Sequence, residues 1–123
     1  MPLHISIDSA RRTIVSAGSG SISDEDLKAG RQKLAADPRF DPTFDRIWDL
    51  SEATSLTFSD ETLHQFAEKS LSGVLVRRAI VCVAPEIVSR VLEFVAESRL
   101  FQRDIVIFPT RKEAEEWLAS PRE

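Results

Sequence analysis

One stretch constrains this chain more than any other: RRAIVCVA, Arg77 to Ala84. Its apolar residues follow one another without alternation, so as a strand it has no polar face to turn to water and must be covered on both sides. The uninterrupted run, Ala79 to Ala84, is far shorter than the ~18 residues of a membrane span. The expectation is therefore a strand at the centre of a sheet, with Ile80, Val81, Cys82 and Val83 all inaccessible. Arg77 and Arg78 read as gatekeepers that keep this apolar segment soluble, with a partner contact as the other reading.

Around that strand the chain alternates between two periods. Leu3, Ile5 and Ile7 alternate with His4 and Ser6, and Thr13 to Ala17 is again rich in β-branched residues, which predicts an opening hairpin closed off by Gly18-Ser19-Gly20. Ser23 followed by Asp24, Glu25 and Asp26 is a helix N-cap with acids in the first turn. Ile22 and Leu27 have the spacing of a hydrophobic staple, Leu27, Gly30 and Leu34 continue one face, and Asp37-Pro38 stops the helix. The stretch Asp37 to Asp45 reads as an irregular connection that tucks Phe40 or Phe44 against the core.

Arg46 to Leu50 is then a short strand. Ser59 caps a second helix, with Phe58 and Leu63 as its staple and Leu63, Phe66, Ala67 and Leu71 as its stripe. Pro85 opens a third, whose face of Ile87, Val88, Val91, Leu92, Phe94 and Val95 runs on toward Leu100 and Phe101. Asp104 to Phe108 is the last strand, and Thr110 with Glu113 forms a capping box for a helix carrying Ala114, Trp117 and Leu118. The order ββαβαβαβα predicts an α/β fold: a mixed, mostly parallel sheet of about five strands with about four helices. All of it fits one domain, residues 1–123.

Composition removes several function classes. Sixteen basic against twenty acidic residues give a net charge of −4, a poor match for nucleic acid or an anionic membrane, so neither is expected as a partner. The single cysteine, Cys82, cannot form an internal disulfide and sits in the apolar run, which suits a reducing compartment. The N-terminal MPLHISIDSARR lacks the basic start and long apolar core of a signal peptide, so a cytoplasmic location is expected.

The GSGSIS entry to the first helix, the strand and turn RIWDLSEAT, the block RRAIVCVAPEIVSRVLEF and the ending DIVIFPTRKEAEEWL together resemble the small bacterial proteins called SpoIIAA-like, or STAS-like. The resemblance spans nearly the whole chain, and its most specific part is the tail, a strand, a short turn and an EAxxWL helix. It implies the fold of anti-sigma factor antagonists, one related to CRAL-TRIO lipid-binding domains. It also implies a place for a regulatory serine, at the helix that follows the third strand. Asp49-Leu50-Ser51 keeps the first part of the corresponding turn, Glu52 stands where glycine is expected, and Ser59 is the position onto which a phosphorylatable serine is carried over.

Asp49, Ser51 and Ser59 are thus the candidate ligand- or partner-binding residues, near the carboxyl ends of strands where open α/β sheets collect ligands. A turn-stabilising Asp and a capping Ser account for the same residues without function. His4, His64 and Cys82 match no metal-ligand spacing, so no metal and no cofactor is expected, and no catalytic residue is assigned. The Gly18-Ser19-Gly20-Ser21 run lacks the Lys of a phosphate loop, and the three acids after it repel phosphate. Three functions remain: a non-enzymatic regulatory or protein-interaction module whose partner is another protein or a second copy of itself; a binding protein or sensor for a small apolar ligand such as a lipid; and an acid/base enzyme using Asp49 or Glu52 near His64.

Overall fold

A computed structural model of the chain describes residues 3–62, 76–98 and 105–120. Five strands form one sheet: β1 (Leu3–Asp8), β2 (Thr13–Ile22), β3 (Asp45–Leu56), β4 (Arg78–Val81) and β5 (Ile105–Phe108). They lie side by side in sequence order, β1 antiparallel to β2 and each later neighbour parallel. The helices are α1 (Asp24–Ala36), α2 (Pro85–Ser98) and α3 (Arg111–Ala119), and a helical turn at residues 60–62 follows β3. The fold is the expected α/β arrangement with a mixed sheet. The stripe expected at Leu63, Phe66, Ala67 and Leu71, and the side chains of His64, Leu100 and Phe101, lie outside the described residues.

Local signals account for most boundaries. Ser23 caps α1 by accepting from the Asp26 amide while the Asp26 carboxylate accepts from the Ser23 amide, a reciprocal box that satisfies two donors otherwise left open. Leu27, Gly30 and Leu34 are its buried face, as their spacing requires. At Gly30 a Cβ would lie 2.6 Å from a Leu3 methyl, so glycine there lets α1 sit down on β1. Thr110 caps α3 by accepting from the Glu113 amide.

Alternation sorts the side chains onto two faces. On one face Leu3, Ile22, Leu27, Leu50, Ile80 and Cys82 pack with Ile87, Val91 and Val95 of α2. On the other, Val15, Ile47, Ala79 and Val81 meet Ala114, with Phe108, Trp117 and Leu118 around them. A smaller cluster of Ile7, Ile14, Leu34 and Phe44 closes the α1 end, with Phe40 against it.

The structure departs from expectation in four places. β2 does not stop at Gly18: it continues to Ile22 beside a lengthened β3, through register shifts, one of them just after Gly20, whose φ of 65° suits glycine. The Gly-Ser run is thus irregular strand rather than a turn. β3 runs to Leu56 instead of ending at Leu50, because its far half has β2 to pair with. β3, not β4, is the middle strand of the five. Finally, Val83 is 64% exposed and Leu92 53% exposed. β4 ends at Val81, so Val83 lies beyond the sheet, and the apolar face of α2 is narrower than its composition suggests.

Candidate functional site

The candidate residues stand at the carboxyl end of the sheet but in two separate constellations. Asp49 lies on β3 level with Val81 of β4, which in turn pairs with Phe108 of β5. Its Oδ1 accepts from the Ser51 amide at 3.1 Å and from the Ser51 hydroxyl at 2.6 Å, and its Oδ2 lies 3.8 Å from an Arg111 guanidinium nitrogen at the start of α3. Asp49 and Ser51, neighbours but one in sequence, are thus joined locally, and the fold adds Arg111 from the start of α3.

Ser59 belongs to the second constellation. Its Oγ accepts from the Thr62 amide at 3.1 Å, and its own amide donates to Asp24 Oδ1 at 2.9 Å. That backbone hydrogen bond is the main reason the Asp24 carboxyl titrates below its ordinary range. Arg90 on α2 holds the segment from the other side, donating to Asp60 at 2.7 Å and to the Phe58 carbonyl at 2.7 Å, with Glu93 as a further partner. Its guanidinium also stands 5.1 Å from the Phe58 ring centre. The hydrogen bond to Asp60 comes first among the causes that raise the Arg90 pKa. Glu93 lies three residues on from Arg90 in the same helix, whereas Asp60 and Phe58 come from the preceding crossover and carry no local signal.

Among the described residues no hydrogen bond joins the Asp49 and Ser59 constellations. His4 is exposed on the edge strand β1, and the Cys82 thiol is buried, which raises its pKa and keeps it protonated. Among the described residues no group of three or more His, Cys, Asp or Glu is placed to hold a metal ion.

Between the sheet and α2 lies a narrow apolar slot of about 70 Å³. Trp48, Leu50 and Ile80 form its floor, Val91 and Phe94 its roof, and Leu56 and Phe58 its end, where Arg90 closes it. Chemically this end of the molecule offers one capped serine, one carboxylate already engaged by a hydroxyl and a guanidinium, and an apolar slot beside them. Among the described residues no helix is long and apolar enough to cross a membrane.

No protein-family model matches the sequence, and comparison with curated proteins gives no match. Solved structures do match. A DUF3478-family protein of Shewanella loihica PV-4 with a SpoIIAA-like fold superposes with a TM-score of 0.64 at 17% identity, over 95% of this chain and 94% of that one. The anti-sigma factor antagonist SpoIIAA in its unphosphorylated form gives 0.59 at 17% identity, over 94% of this chain and 96% of that one. The Bacillus cell-fate determinant SpoIIAA in its phosphorylated form gives 0.59 at 14% identity, over 94% of this chain and 98% of that one. End-to-end coverage at this similarity, on a sheet and helix order read independently from the sequence, establishes that the chain has a SpoIIAA-like, STAS-like fold.

Proposed function

We propose that this protein is a non-enzymatic regulatory module of the STAS type, acting by contact with another protein. The observation that carries this reading is the match along nearly the full length of both chains to SpoIIAA, an anti-sigma factor antagonist. The carboxyl end of the sheet is the proposed contact edge, with Asp49, Ser51 and Ser59 on it. Ser59 is used there as a cap and not as a phosphate acceptor, because Asp24 already holds its amide and Asp60 and Glu61 follow it. A phosphate carrying ~−1.5 to −2 charges beside those carboxylates is opposed at short range.

The test is native mass spectrometry of the protein isolated from its own cells, comparing wild type with Asp49→Lys. The expected result is a discrete heteromeric complex that the variant loses while its melting temperature stays near the parent's. A partner retained by Asp49→Lys, or a purified chain that turns over a small molecule, contradicts the proposal. A homodimer lost in the variant assigns the same edge to self-association.

A second reading has an observation of its own. The slot under α2 is lined almost wholly by apolar side chains, which favours a small apolar ligand. Its volume of about 70 Å³ is well below the ~300 Å³ at which ligand sites begin, so the slot takes one end of such a molecule rather than the whole of it.

A further inference from the structure

The connection from β4 to α2 turns apolar side chains out to water at the carboxyl end of the sheet. Cys82, Val83 and Ala84 make this connection, and both of its ends are pinned. The Cys82 amide donates to the Phe108 carbonyl at 3.1 Å, and the Ala84 carbonyl accepts from the Ile87 and Val88 amides at 3.0 and 2.9 Å. The Cys82 side chain is in the core, and Val83 after it is 64% exposed. Ala84 and Pro85 are exposed as well. So is Pro109, which follows Phe108, the residue paired with Val81 on the neighbouring strand. Val83, Ala84, Pro85 and Pro109 therefore stand together where β4 and β5 end.

Folding gives little reason for a valine there, because an apolar side chain contributes in proportion to the area taken out of water. One exposed apolar residue is ordinary on a protein surface, whereas a group of them on a fixed backbone suits the centre of an interface. The pinned connection also leaves no loop to be ordered when a partner binds.

The charges around the patch set the partner's sign. Exposed Glu86 follows Pro85, and exposed Glu113 is in the first turn of α3. On β3, Asp49 is level with Val81 and exposed Glu52 lies beyond it. The cations on the same elements are Lys112 and Arg111, the latter already shared between Asp49 and Glu115. The rim is acidic on balance, so it opposes a second copy of itself and attracts a basic surface.

We propose that the Val83 patch is the centre of the contact edge, and that the partner it fits is a protein presenting an apolar surface rimmed by Lys and Arg. This rests on the regulatory reading above and adds the chemistry of the partner.

The test is displacement of the natural complex. The complex is isolated from the protein's own cells with a tagged wild-type chain, its second component is identified by mass, and purified untagged chains compete with the tagged one. Val83→Ser is expected to need about tenfold more protein than wild type for the same displacement. Glu52→Lys is expected to compete less well than wild type at low ionic strength, with the gap closing as salt rises. Both positions are exposed, so melting temperatures stay near the parent's; Val83→Thr, which keeps the side chain's shape, replaces Val83→Ser should that variant fail to fold. Arg39→Met, an exposed arginine paired with Asp37, is the control and competes like wild type. Displacement by Val83→Ser as effective as that by wild type removes the patch, and leaves the regulatory reading standing where Asp49→Lys is defective. Competition by Glu52→Lys equal to or better than wild type, or a complex that tightens with salt, overturns the basic partner. A homodimer in place of the heteromer overturns it too, and the absence of any complex ends both readings.

Discussion

Arg77 and Arg78 are consecutive and equally buried, at 9% and 8% exposure, yet the two faces of the sheet treat them in opposite ways. Arg77 is on the α3 side. Its guanidinium donates to Asp45 at 3.1 Å and to the carbonyls of Leu118 at 2.6 Å, Trp117 at 3.1 Å and Ser120 at 2.8 Å. It therefore neutralises a buried carboxylate and caps the carboxyl end of a helix with the positive charge that end favours. Arg78 faces the other way, opposite Arg46, and no described residue gives it an ion pair. The same side chain at neighbouring positions is a structural pin on one face and, among the described residues, a buried cation opposite a second arginine on the other.

The sharpest way to break this contrast is to remove each arginine in turn. Arg77→Met deletes the cation beside buried Asp45 and the donors to three carbonyls. Breaking a buried pair from one side costs about 3–5 kcal/mol, a large part of the ~5–15 kcal/mol that holds a domain together. Urea denaturation is expected to show a stability lower by about 3–5 kcal/mol. A loss under ~1 kcal/mol means that Arg77 is no pin.

Arg78→Met is expected to do the reverse. Replacing a buried cation that faces a second arginine by an apolar side chain of similar length stabilises by about 1–3 kcal/mol. Because burial lowers the Arg78 pKa to about 9 in the folded chain, well below that of the free group, the unfolded chain holds more protons above about pH 9. Wild-type stability contributed by this group therefore rises with pH above about 9, and the advantage of Arg78→Met shrinks over the same window. Arg46 and Arg31 are the positive charges facing it, and burial lowers the pKa of each. Denaturation midpoints of the pair, measured at neutral pH and again above pH ~9, check both the sign and the convergence.

This contrast also shows what could be read without coordinates. Caps, staples and stops are local, so the Ser23 cap and the Leu27-Gly30-Leu34 face are legible in the sequence, while of the capping box expected at Thr110 only the half in which the hydroxyl accepts from the Glu113 amide forms. The sequence gives the two arginines one reading, as gatekeepers, since their different partners lie on β3 and α3, far away in sequence. A signal existed: Arg46 has the parity of Trp48 and Leu50, and Arg78 that of Ile80, so alternation alone puts both guanidiniums on a core-facing side. The extension of β2 through Gly18 and Gly20 was hidden for the converse reason. Glycines mark turns by default, and here they serve a bulged strand whose partner, the far half of β3, has no apolar pattern of its own. Among the candidate site residues, Asp49 and Ser51 read as a local turn in the sequence but lie within β3, and the Asp24 and Arg90 contacts around the Ser59 segment depend on the crossover.

The Ser59 segment gives a smaller effect of known sign. Ser59→Ala removes the acceptor for the Thr62 amide, an N-cap loss of about 1 kcal/mol. Ser59→Asp restores an acceptor and is expected to melt close to the parent. Thermal melts of both variants decide the point: an Ala variant as stable as wild type means the cap contributes nothing, and stoichiometric phosphate on Ser59 in protein from its own cells means the site is a switch.

The smallest effect calibrates the others. Arg111 is 45% exposed, pairs with Glu115 at 3.2 Å one helical turn away and lies 3.8 Å from Asp49. Solvent screens such pairs, so Arg111→Ala is expected to cost about 0.2–1 kcal/mol, and less in high salt, where the Debye length falls to ~3 Å. That is an order below Arg77, although both side chains are arginines reaching a carboxylate across the same face of the sheet. The difference is burial, since Asp45 is only 7% exposed whereas solvent reaches Glu115. Arg111→Ala also removes the cation beside Asp49 while keeping the fold, so it separates stability from contact. On the regulatory reading, partner affinity is expected to change more in this variant than the melting temperature does. An Arg111→Ala protein that melts far below the parent places Arg111 with Arg77 as a pin and moves the contact edge away from Asp49.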